Sequence, residues 1–397
     1  MAPNRFMLKP RLNFLIFLLI LNGTLFSQIS PQINPYSSHQ IAGPLILCRS
    51  INSQNQIPGI ESASDNDNLF VSLRNGNVKS INPISDTTNW EAELGGAIIS
   101  PIYVSADSLV VISKILYENE VKDDENKENQ SEFAAVRLLD KNSGVVKWHT
   151  LLKLTADSDA ILYGLGNTLI VANQKGDFYL LDKKFGKIIL QKKVRQTLST
   201  APFFDKDRIF IGTSASEIIE VSITNLEIDR IIKVSDIPAL IFFSENCLVW
   251  SDRNGKIHCL KSESRKTTKT SGKQYKQKWS LRIGGKISYV TALEKNILIS
   301  SLDNYIYYVS AESGEIIWKQ RMPGRPAFRP LLIGNFLVIT TVGDSTALLI
   351  DAQSGKIVNK INTGSENFFT GSPGKISSLL FFPTSSGIFL YAPETLC

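Results

Sequence analysis

Eight short β-branched and aliphatic runs recur along this chain: Leu69-Phe-Val-Ser, Leu109-Val-Val-Ile, Leu169-Ile-Val-Ala, Ile209-Phe-Ile-Gly, Leu248-Val-Trp-Ser, Ile297-Leu-Ile-Ser, Leu337-Val-Ile-Thr and Leu379-Leu-Phe-Phe. Their starts lie 40, 60, 40, 39, 49, 40 and 42 residues apart, a period near 40 with two insertions. A fixed period of that length means an array of repeated units and excludes a string of unrelated domains. Each unit reads as a short strand, a turn with Gly at the seventh place (Gly76, Gly176, Gly255), and an alternating strand such as Phe178-Tyr-Leu-Leu. A second turn follows, then a strand marked by Trp (Trp90, Trp148, Trp279, Trp318), then a further strand opened by Pro (Pro101, Pro202, Pro238, Pro330, Pro373). Four antiparallel strands in roughly 40 to 45 residues make a β-propeller blade, and a closed ring removes the open edges of a sheet. The expected fold is all-β, a single propeller of four-stranded antiparallel blades.

Only seven starts are followed by a complete unit. The eighth, Leu379-Leu-Phe-Phe with Ile388-Phe-Leu-Tyr, runs into the end of the chain. At the other end, Pro44-Leu-Ile-Leu and the segment after Gln56 supply an outer strand and a first inner strand. Eight blades are therefore expected, the last built from both termini; seven is the alternative, if the final segment completes an earlier blade. The propeller is placed at 44–397, after a signal peptide at 1–27 and a polar linker at 28–43.

The signal peptide reads in order: basic Arg5, Lys9 and Arg11, an apolar run from Phe14 to Leu21, and a cleavage point after Ser27. The run is about half of the ~20 residues needed to span a bilayer, so a cleaved signal is expected; an uncleaved signal anchor is the alternative, because Leu25 and Phe26 extend the apolar stretch. The first cysteine is Cys48, so a lipoprotein cysteine is missing and the mature chain is expected in a periplasmic or other extracytoplasmic compartment, soluble or peripherally membrane-associated. With 43% hydrophobic residues, 20 Phe and 11 Tyr, the chain has apolar material for a large core. Four cysteines are too few for a disulfide scaffold, and none are spaced for metal. Cys247 and Cys259 flank the turn at Asn254-Gly255, whereas Cys48 and Cys397 sit at opposite chain ends, where a bond would lock the ring. Free thiols are the alternative, because sequence does not fix disulfide geometry.

The second turn repeats most closely: Leu139-Asp-Lys-Asn-Ser-Gly-Val-Val-Lys-Trp, Leu181-Asp-Lys-Lys-Phe-Gly-Lys-Ile, Val309-Ser-Ala-Glu-Ser-Gly-Glu-Ile-Ile-Trp and Ile350-Asp-Ala-Gln-Ser-Gly-Lys-Ile. It resembles the repeat of the pyrroloquinoline-quinone-type (PQQ-like) propeller family, with its Asp-Ala-x-Thr/Ser-Gly-x-x-x-Trp turn. Asp140, Asp182 and Asp351 are expected to accept turn amides, and Gly144, Gly186, Gly314 and Gly355 to take the left-handed conformation. Trp90, Trp148, Trp279 and Trp318 are expected to pack between blades. Blade 4 departs from the pattern at Ser222-Ile-Thr-Asn-Leu-Glu. One branch of the family holds quinoprotein dehydrogenases, which bind PQQ and Ca²⁺ beside a ring of adjacent cysteines. No two cysteines are adjacent here. The other branch is similar in size and plan: the non-enzymatic periplasmic scaffold of the outer-membrane β-barrel assembly machinery. That resemblance implies a protein-binding scaffold with no catalytic residues, cofactor or metal, acting as a monomer within an envelope complex. A PQQ-dependent or sugar-linked oxidoreductase is the alternative.

Motifs for other chemistry are lacking. The three histidines, His39, His149 and His258, stand at no metal-ligand spacing, and no nucleophile elbow, Walker loop or dinucleotide motif occurs. Leu94-Gly-Gly and Ile283-Gly-Gly read as one repeated turn, and Asp65, Asp67 and Asn68 as a polar turn. Three of the six net positive charges lie in residues 1–27, and the mature chain is a nearly neutral ring with two oppositely charged insertions. Residues 113–132 carry seven acids and three bases. Residues 261–278 carry seven bases (Lys261, Arg265, Lys266, Lys269, Lys273, Lys276, Lys278) and one acid. Both are expected as loops, on opposite faces of the ring, the basic one a candidate contact with an anionic membrane surface or an acidic protein. Nucleic acid is not expected, for want of a basic aromatic groove.

Overall fold

The computed structural model describes residues 41–51, 62–115, 133–154, 160–194, 197–244, 247–267 and 270–397, with the backbone alone considered at 264–267 and 270–274. These residues form eight four-stranded antiparallel sheets, arranged as an eight-bladed propeller. Seven sheets, numbered blades 1 to 7 in chain order from 63–93 to 331–362, use four strands consecutive in sequence. The eighth takes Gly374–Ile376, Leu379–Thr384 and Gly387–Ala392 from the C-terminal end and Ile46–Ile51 as its outer strand. Ile46 pairs with Ala392 and Ile51 with Ile388, so the ring closes through the two chain ends and the blade count is eight, not seven. The signal peptide lies outside the described residues, as does most of the polar linker. Ile41 is buried beside Phe336, Phe369 and Phe382, so packing against the ring starts within the segment expected as linker.

Each blade is covered on both faces by its neighbours, and the burial follows. Second strands are buried along nearly their whole length, and at every residue in Leu69–Ser72 and Cys247–Asp252, which is why they read as unbroken apolar runs and not as alternating ones. Outer strands alternate exposed and half-buried positions, as in Ile188–Lys193, because only one of their faces meets a neighbour. Between third and fourth strands, a bulge recurs at one place in blades 1 to 7, for example between Leu138 and Leu139 and between Tyr308 and Val309. It sets the twist with which each outer strand leaves the turn.

The two insertions differ from their expected form. In blade 2, strand Ser108–Ile115 takes in the first three residues of the acidic segment, strand Phe133–Asp140 begins directly after it, and 116–132 lie outside the described residues. In blade 5 the basic segment is not a loop but a β-ribbon, formed by Lys256–Thr267 and Thr270–Arg282. Its ladder runs from Lys256 opposite Arg282 to Thr267 opposite Thr270. The blade supplies a hydrogen-bonded base, and the polar sequence extends it as paired strand.

Candidate interaction surfaces

The recurrent acceptor, Gly and Trp form one device that joins blade 1 to 2, 2 to 3, 5 to 6 and 6 to 7. The Asp140 carboxylate accepts from the amides of Asn142 and Ser143, both at 3.0 Å, and Asp351 accepts from the amide and hydroxyl of Ser354 at 2.7 and 2.6 Å. Asp182 accepts from the Phe185 amide, and Ser310 does the same work in blade 6 for Ser313. A hydrogen bond from Lys147, reinforced by Ser143, lowers the Asp140 pKa to about 2, so the turn stays ionised. Four residues after each of these acceptors the chain takes positive φ, at Gly144 (72°), Gly186 (70°), Gly314 (77°) and Gly355 (70°). There the Trp of the preceding blade arrives. A Cβ on Gly144 would stand 2.5 Å from Trp90, and one on Gly355 would stand 2.6 Å from Trp318. Each indole N–H donates to a carbonyl of the same turn: Trp90 to Lys141, Trp148 to Lys183, Trp279 to Ala311 and Trp318 to Ala352, at 2.9 to 3.1 Å.

Where the Trp is missing, its partner changes too. Leu190 occupies the Trp place in blade 3, and Leu226, at φ 54°, the Gly place in blade 4; both belong to one apolar cluster. Asn359 occupies the Trp place in blade 7, and the turn it faces is the gap between chain ends. Its side-chain amide donates to the Gly43 carbonyl oxygen, 2.5 Å away, so the same blade-to-blade hydrogen bond holds the latch.

The largest departure joins blades 4 and 5, and sequence reasoning missed it. Arg230 stands in the Trp place of blade 4, opposite Glu220, and blade 5 presents the base of the ribbon where a short turn would be. Glu220 is 5% exposed and accepts from Arg208 at 3.1 Å and Arg230 at 3.3 Å. Arg208 also binds Asp205 at 2.6 Å and lies over the rings of Phe210 and Phe243. The Arg230 guanidinium lies 5.7 Å from the ring centre of Tyr275, on the ribbon's outer strand. Burial pushes the Tyr275 phenol above its usual range. A buried carboxylate shared by two guanidiniums thus replaces indole on glycine, and its aromatic contact braces the root of the ribbon.

Of the candidate ribbon residues, Lys261, Lys276 and Lys278 are exposed. Lys276 pairs with Glu263 at 2.7 Å, and Lys278 with Glu312 in the turn before the neighbouring outer strand Ile316–Arg321. Arg265, Lys266 and Lys273 are backbone positions in the ladder, opposite Gly272, Ser271 and Ser264, and Lys269 lies outside the described residues. Disulfides join Cys48 to Cys397 (Cα separation 5.2 Å) and Cys247 to Cys259 (5.6 Å). The second is diagonal: Cys259 sits opposite Val249, and Cys247 opposite Lys261.

The histidines stand apart from one another. His149 is exposed, and His39 lies outside the described residues. His258 is buried between blades, stacked on Trp250 at 4.1 Å with Nδ1 3.2 Å from Gln277 Oε1. Asp65 accepts from the amides of Asp67 and Asn68 and pairs with Lys141 of blade 2 at 3.0 Å. No group of three or more metal-ligating side chains occurs among the described residues.

Eight blades closed by both termini, with acceptor, glycine and tryptophan repeated at the joints, define a propeller of the PQQ-like repeat class. Within that class the chain belongs to the family described as outer membrane protein assembly factor BamB, whose model matches residues 132–361. No curated protein matches the sequence. Among solved structures, BamB from Moraxella catarrhalis superposes with a TM-score of 0.63 at 16% identity, over 89% of this chain and 98% of that one. The computationally designed Ika8 protein superposes with a TM-score of 0.63 at 11% identity, over 86% of this chain and 98% of that one. That a designed ring aligns as well as a natural one marks these likenesses as properties of the fold.

Proposed function

We propose that this chain is an exported, non-enzymatic scaffold that binds other proteins during outer-membrane or envelope assembly. The observation that carries the reading is the family match over 132–361, the stretch that holds most of the repeated joints. The joint chemistry agrees with it: the recurrent carboxylates accept from their own turns and the recurrent indoles cover the next blade, so both serve the ring. The basic and apolar N-terminal segment supports a periplasmic or similar location, and the ribbon adds a contact with an anionic surface. The protein works as a monomer within a larger complex.

Crosslinking in the native envelope followed by capture of the tagged chain tests this. One defined outer-membrane or envelope protein should be recovered in a constant ratio. A chromophore acquired on adding PQQ with Ca²⁺, together with dye reduction, would replace the scaffold by an oxidoreductase.

A further inference from the structure

The third and fourth strands of blade 5 run for 12 and 13 residues, against 6 each in blade 6. At about 3.3 Å per residue, the surplus carries the ribbon roughly 20 Å past the ring face. Two features fix it there. Its ladder is continuous with the blade, and Tyr275 near its root lies against Arg230, itself held by the buried Glu220. The ribbon is therefore aimed by the ring.

Its chemistry is one-sided. Six lysines and one arginine lie between 261 and 278, and the single acid, Glu263, is engaged by Lys276. Tyr275 is the only aromatic residue in that stretch short of the blade, and it is turned to the ring. A protein–protein interface is anchored by buried aromatic and apolar side chains, which this segment lacks. Lysine is a hydrated point charge without the planar fork that selects a single carboxylate pair, and it suits a diffuse layer of phosphates.

We infer that the basic ribbon built by Lys256–Thr267 and Thr270–Arg282 rests on an anionic lipid bilayer and sets the orientation of the ring on the membrane. The inference deepens the scaffold reading by naming the surface on which the scaffold sits.

Co-sedimentation of the full chain with vesicles tests it, comparing phosphatidylcholine alone with phosphatidylcholine containing roughly 30 mol% phosphatidylglycerol. The variant Lys261→Gln/Arg265→Gln/Lys266→Gln/Lys273→Gln keeps every strand position and removes four charges. The parent should favour anionic vesicles and lose that preference between about 50 mM and about 500 mM NaCl. At low salt the variant should bind at least about 50-fold more weakly, since each basic residue near such a surface contributes about fivefold. Circular dichroism and the urea midpoint show whether the variant keeps the parent fold. Should it not, Lys266→Gln/Lys273→Gln alone must still weaken binding by about tenfold or more. Equal binding to both vesicles, no binding, or unchanged binding by a folded variant would overturn the inference. So would binding to poly-glutamate in preference to anionic vesicles, which would make the occupant an acidic protein. Crosslinked recovery of an envelope partner by the variant, with vesicle binding absent in the parent, removes the arm and leaves the scaffold standing.

Discussion

The indole of Trp90 covers Gly144 of the next blade so closely that a single added methyl carbon would stand 2.5 Å from its ring. Gly144 also holds φ at 72°, so two independent constraints select glycine there. Gly144→Ala should cost about 2–4 kcal/mol through backbone strain and overlap. Trp90→Ala, which opens a cavity and leaves the Lys141 carbonyl unpaired, should cost about 3–5 kcal/mol. Urea denaturation reads both, and the double variant should lose less than the sum, because the residues share one contact.

Glu220 bridges two guanidiniums from within the ring. Glu220→Ala leaves Arg208 and Arg230 without it, and a loss of about 3 kcal/mol is expected. Tyr275→Ala removes the brace but no charge, so it should loosen the ribbon and spare most of the stability. Faster amide exchange at Lys261–Thr267 with a nearly unchanged urea midpoint is the signature; protection equal to the parent would show that the ladder alone holds the arm.

The bond between Cys48 and Cys397 closes the ring across 349 residues of sequence. Cys397→Ser should lower stability by about 2–5 kcal/mol, with the parent falling to the level of the variant under reductant. The Ile46–Ile51 strand should lose amide protection before any other outer strand, since nothing else ties it covalently to blade 8.

Burial lowers the pKa of His258, an effect that the hydrogen bond to Gln277 and the charges of Asp252 and Asp236 oppose and that of Lys256 assists. The native ring stays neutral at a pH where the unfolded one, with a pKa near 6.5, takes up a proton. The unfolded state then binds more protons, so stability rises with pH in this window and falls as the solution is acidified below about pH 6.5, by at most about 1.4 kcal/mol per unit. His258→Gln should flatten that slope in urea midpoints measured between about pH 5 and about pH 7.5.

What was legible in the sequence is what each repeat carries locally. The second strands appear as unbroken apolar runs because both faces of a blade are covered, and the turns appear as Asp-x-x-x-Gly because one carboxylate and one positive φ make the bend. The eighth blade was legible as a deficit, two strands in the final repeat and a spare outer strand at the other end, and the structure adds Gly374–Ile376 to the final repeat. Arg208, Glu220, Arg230 and Tyr275 stand outside that logic. They come from four strands of two blades, at positions where the repeat pattern is broken, and they become one network only when closure lays blade 4 against blade 5. The ribbon is the same case, for a polar segment with no apolar alternation reads as loop until a neighbouring strand edge offers its amides and carbonyls. The sequence by itself determined the repeat, the class of fold and the means of closing it, because these rest on local turn chemistry and periodic burial. Only the tertiary structure decided which cysteines meet, what replaces the tryptophan between blades 4 and 5, and that the basic insertion stands out from the ring as paired strand, because each depends on contacts between segments far apart in the chain.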